Sequence, residues 1–172
     1  MPTINHNERT TTRKTTTSAV HPMKVLVVID GAEQTGRVIE YALKLAEHGR
    51  TLNVVLLGII RDPPDGRLRG YGSFKREEIH SHLKERMEQR AIGAAGRRFD
   101  QVGIVHKDRI EIGEPAETIL RVAQEEDVST ILVGDAPSGV IERWLPKVLG
   151  LSPATTAIQV ARLAAVPVVV LK

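Results

Sequence analysis

The chain contains no cysteine. That removes disulfide cross-links, thiolate nucleophiles and every zinc or iron–sulfur site built on Cys. Aromatic side chains are nearly as scarce: Tyr41, Tyr71, Phe74, Phe99 and Trp144 are all that its 172 residues hold. So few rings cannot supply the stacking platform that single-stranded nucleic acid needs. No apolar run approaches the length of a membrane span, and the N-terminus is polar, not a hydrophobic leader. The expectation is a soluble, cytoplasmic protein with no membrane partner. Charge of one sign is also in short supply. The formal net charge is +3, and Arg9, Arg13 and Lys14 against Glu8 place two of those charges in residues 1–22. A nearly neutral remainder leaves no electrostatic footprint for DNA or RNA.

What is present is 41% apolar residues, enough to bury a core. Residues 1–22 stand apart: they are basic, rich in threonine and almost without large apolar side chains. Such a stretch is expected to be a disordered tail, because nothing in it offsets the entropy of ordering. The folded domain is expected over 23–172. It alternates between two periods. Met23 to Ile29, Leu52 to Ile60, Val105 to Ile112, Thr130 to Val133 and Val166 to Leu171 read as strands. Between them lie a helix over 34–48, a long helix stepping through Ile79, Leu83, Met87 and Ala91, and a helix opening at Pro115. Ser152-Pro153 reads as the cap and first position of a last helix. Residues 61–73 are a Pro- and Gly-rich loop. Residues 135–152 form a longer one, with Trp144 on an amphipathic stretch that could dock a protein partner. Five strand–helix units imply an α/β fold: a five-stranded parallel sheet, doubly wound. Ligands of such sheets bind at the carboxyl ends of the strands.

Most catalytic signatures are missing. There is no Walker lysine loop, no G-x-G-x-x-G after the first strand and no nucleophile elbow. His80 and His82 are two apart and fall on different helix faces, and Glu78 with His82 is one exposed pair, so no metal site is expected. His48 and His106 show no partners in the sequence. No catalytic residue emerges. Two places remain at strand ends. Asp30 closes the first strand, as a turn cap or as a ligand group. Ser152 to Thr156 opens the last helix, where free amides and the dipole suit either ordinary capping or an anion.

From Met23 onward the chain resembles the universal stress protein family. The likeness rests on Val25 to Glu33, ending in Asp30-Gly31-Ala32-Glu33, and more firmly on Gly113-Glu114-Pro115-Ala116 opening a helix. Ile131-Leu132-Val133-Gly134 and Val166-Pro167-Val168-Val169-Val170 are similar to the family's fourth and closing strands. The resemblance implies a nucleotide α-hydrolase-like sheet of strand order 3-2-1-4-5 and a homodimer through the fifth strand. It implies ATP or another adenine nucleotide as ligand. Asp30 would then meet the ribose or adenine edge, Ile59 would flank adenine, and Gly134, Thr155 and Thr156 would hold phosphates. The family's G-x2-G-x9-G-[ST] signature is altered here. Gly139 lies five residues after Gly134 where three are expected, and Ala154 stands where the last glycine belongs. A member that has lost ATP and serves as a dimeric interaction module, or binds another small ligand, is the alternative.

Overall fold

Met23–Ile29 forms strand β1 and Leu52–Ile60 forms β2. Both are rich in β-branched and aliphatic side chains, which fit a pleated surface. In the computed structural model, which describes residues 22–29, 33–61, 76–135 and 155–172, three more strands follow. They are β3 (Val105–Ile112), β4 (Thr130–Gly134) and β5 (Val168–Leu171). All pairings are parallel, and the sheet runs β3-β2-β1-β4-β5. The expected doubly wound sheet and its strand order are therefore present. The tail, Asp30 and the loop containing Trp144 lie outside the described residues, as does nearly all of the loop over 61–73.

Five helical segments and one π-helical turn accompany the strands among the described residues. These are α1 (Glu33–Glu47), α2 (Arg76–Met87), a π turn (Glu88–Ile92), α3 (Gly93–Asp100), α4 (Pro115–Glu125) and α5 (Thr156–Leu163). The pleat sorts the core between them, since alternate strand residues face opposite sides. Val25, Val27 and Ile29 of β1, with Val54 and Leu56 of β2, pack against Val38, Ile39 and Ala42 of α1 and against Ile92, Ala95 and Phe99. Leu26, Val28, Val55 and Leu57 point the other way, onto Ile119 and Val122 of α4 and Ala157 and Val160 of α5. A strand buried on both faces must read as a continuous apolar run, and β1 does.

The long second helix is interrupted. Stepping by four from Ile79 through Leu83 and Met87 makes an apolar stripe drift around an α-helix, because four residues overshoot a turn. The π turn adds a residue and brings Ile92, Ala95 and Phe99 onto the sheet instead; all three are fully or almost fully buried. Gly58 of β2 makes room for that turn. A Cβ there would stand 3.0 Å from Met87 Cγ and 3.2 Å from Ile92 Cδ1.

β3 is an edge strand, pairing with β2 alone, and charged side chains occupy much of it. On the α4 side Lys107, Arg109 and Glu111 meet Arg121, Glu125 and Glu126. Glu126 is the buried member, its side chain 9% exposed. It accepts from Lys107 at 2.7 Å, Arg109 at 3.1 Å and Lys24 at 3.2 Å. On the other side His106 does have partners, contrary to the sequence expectation. Its Nδ1 lies 2.9 Å from Asp108 Oδ1 and its Nε2 3.1 Å from Asp100 Oδ1. The ring also lies against Gly96, where a Cβ would stand 2.9 Å from His106 Cε1. Asp108 shares its strand face, two residues on, while Asp100 arrives from the end of α3. His48 is likewise engaged, through Nδ1 at 2.6 Å from the Lys44 carbonyl oxygen.

Candidate functional site

The strand ends define the place where a ligand could lie. β1 is central, and its last residue, Ile29, pairs with Gly58. Its register with β4, Val27 opposite Leu132, extends to set Ile29 level with Gly134. Ile59 stands one residue beyond Gly58. Its half-buried side chain packs with the cluster beneath α4 and α5. Ile59 and Gly134 thus flank the end of β1, about 10 Å apart by the spacing of neighbouring strands. Asp30 and Ala154 lie outside the described residues.

The other wall is the start of α5. The helix was expected to open at Ser152-Pro153, but it begins at Thr156, and Thr155 is its N-cap. The Thr155 hydroxyl accepts from the Ile158 amide at 3.4 Å, satisfying one of the amides that a helix start leaves unpaired. The later start has a local reason. Thr155 has an extended backbone, with φ −59° and ψ 158°, which is the conformation a cap adopts before the first helical residue.

Thr155 makes a second bond that the sequence did not reveal. Its hydroxyl donates to Asp135 Oδ1 at 3.0 Å, across twenty residues of chain. Asp135 is the residue after β4, half-buried, and its amide donates to the Leu171 carbonyl at 2.8 Å. That bond continues the β4–β5 ladder and fixes where the carboxylate can be. Gly134, Asp135, Thr155 and Thr156 therefore come together where β4 ends and α5 begins. The glycine spacing pointed to this place and passed over Asp135. The signal available was a charged residue directly after a buried strand.

Chemically, the place combines an apolar side chain at the end of β2, a glycine at the end of β4 and a helix start with two threonines. Among the described residues no group of three or more His, Asp or Glu could hold a metal ion. No described helix is long and apolar enough to cross a membrane.

Comparison with known proteins agrees with this architecture. Hypothetical protein MJ0577, the subject of a structure-based assignment of biochemical function, has a TM-score of 0.67 and 21% identity, over 87% of this chain and 95% of its own. A universal stress protein family protein from Arabidopsis thaliana with AMP bound has a TM-score of 0.55 and 15% identity, over 88% and 92%. A universal stress protein in complex with cAMP has a TM-score of 0.52 and 20% identity, over 87% and 96%. At these identities the likeness is one of fold. No protein of curated function matches the chain. The model of the universal stress protein family matches residues 22–172, and the chain belongs to that family.

Proposed function

We propose that this protein is a cytoplasmic stress-response regulator that binds an adenine nucleotide at the carboxyl ends of β1, β2 and β4, without fast turnover. The observation that carries the reading is the meeting of Gly134 with the capped start of α5. Thr155 and Thr156 bring two hydroxyl side chains and the positive end of a helix dipole beside a strand end, an environment that suits a polar or anionic ligand group. Ile59 offers an apolar contact for a base, and Asp30 would meet the ribose or the adenine edge. Ala154 brings a Cβ where the family's signature has glycine, which hinders close backbone approach to a phosphate. Two structural neighbours crystallised with AMP and with cAMP make adenine ligands the first to test. ATP is the ligand the family signature would favour, and that signature is the part altered here.

The protein is further proposed to act as a homodimer through β5 and to dock a protein partner through the segment over 135–152. The altered spacing after Gly134 favours a second reading, in which nucleotide has been given up and the dimer works as an interaction module. One experiment separates them: calorimetric titration with AMP, cAMP and ATP, alongside mass spectrometry of the denatured protein for co-purified nucleotide. Saturable heat for any of the three, with affinity of about micromolar, supports the first reading. Absence of heat at millimolar ligand, with no nucleotide released, leaves the interaction module.

A further inference from the structure

We infer that Asp135 is a charge filter, so that the site takes an adenine ligand carrying little or no phosphate, adenosine or AMP, and discriminates against ATP. The inference rests on the nucleotide reading above and adds to it the class of ligand. A hydroxyl has one proton to donate, and that of Thr155 is already given to Asp135 Oδ1 at 3.0 Å. A phosphate oxygen seeking the same hydroxyl must take the proton from a carboxylate. It must also approach that carboxylate closely, since both acceptors would share one donor. Like charges brought together in a partly buried place repel strongly, because water screens them poorly there.

Asp135 cannot easily withdraw. Its amide is bonded to the Leu171 carbonyl at 2.8 Å, so only side-chain rotation can carry the carboxylate away, and rotation gives up the Thr155 hydroxyl. No lysine or arginine among the described residues pairs with Asp135 to neutralise it. The carboxylate already supplies the negative charge that the start of α5 favours. Every further phosphate adds repulsion at that place, whereas the nucleoside end, toward Ile59 at the end of β2, is untouched by it.

The test is a ligand ladder on the full chain. Adenosine, AMP, ADP and ATP are titrated by calorimetry in a buffer free of divalent cations, then again with magnesium. Affinity is expected to fall along the ladder, with ATP about ten- to a hundredfold weaker than adenosine. In Asp135→Asn the amide oxygen still accepts from Thr155 but the charge is gone. ATP is expected to gain about tenfold or more there, while adenosine stays within about twofold. A thermal melt confirms that the variant is folded. If it is not, the wild-type ladder decides alone. ATP binding wild type as tightly as adenosine, with or without magnesium, overturns the filter and leaves the nucleotide reading standing. Failure of all four ligands on both proteins overturns the nucleotide reading itself, and the filter with it.

Discussion

Thr155 is asked to do two things, and the second changes what a mutation there means. As a cap its hydroxyl holds the Ile158 amide at 3.4 Å, and as a donor it holds Asp135. Thr155→Ala removes both, so chain stability falls together with any effect on ligand. The cap distance is long, which puts the expected loss at the low end for such residues, about 0.5–1 kcal/mol. A urea denaturation midpoint reads it, and Thr155→Ser should recover most of it; an unchanged midpoint in Thr155→Ala would mean that the hydroxyl is not holding the helix start. The sequence made Thr155 and Thr156 visible, because threonines near a predicted helix start are a local signal. It did not make Asp135 visible. Two side chains twenty positions apart meet only because β4 ends and α5 begins at the same rim of the sheet, and no periodicity encodes that.

The pairing of β3 with α4 depends on charge more than on apolar contact. Glu126 gathers three cations from two strands. The hydrogen bond from Lys107, helped by those from Lys24 and Arg109 and opposed by partial burial, pulls its carboxyl down to about 2 from an ordinary value of 4.5. Burial pushes Glu111 up, yet the hydrogen bonds from Arg109 and Arg121 outweigh it and leave its carboxyl below the usual range. A carboxyl lowered on folding contributes stability that is complete above its unfolded value, about pH 4.5, and is lost as the pH falls toward 2. Glu126→Gln is therefore expected to cost about 2 kcal/mol at pH 7. The gap between variant and wild type should close as denaturation is repeated at successively lower pH. A gap that stays constant down to pH 2 would assign the loss to packing instead. The bounds of β3 and the entry of Pro115 into α4 were plain in the sequence, since alternation and a proline at a helix start are local facts. The resetting of the stripe from Met87 to Ile92 was not, because a π turn appears only when the helix must lie on a particular sheet.

The molecule as a whole presents β5 as its second sheet edge. Ile131 of β4 and Asp135, just after it, donate to the carbonyls of Pro167 and Leu171, so alternation turns the backbone groups of Val168 and Val170 outward. An apolar edge strand with free backbone groups invites a partner strand. Val170→Pro removes an outward N–H while sparing the bonds to β4. Sedimentation at micromolar concentration should show the wild-type dimer shifted to monomer in this variant. A wild-type monomer, or an undisturbed Val170→Pro dimer, would end the proposal that β5 pairs. The sheet order has a kinetic consequence as well. Val25 of β1 finds Val54 after 29 residues but Thr130 only after 105, and the entropy of closing the larger loop delays β4 and β5. Gly134, Asp135 and Thr155 all belong to that late half. A ligand held by them has nothing to grip until the rate-limiting docking is over. In stopped-flow experiments it should lower the unfolding rate while leaving the folding limb where it was, making bound nucleotide a brake on opening and no help in closing.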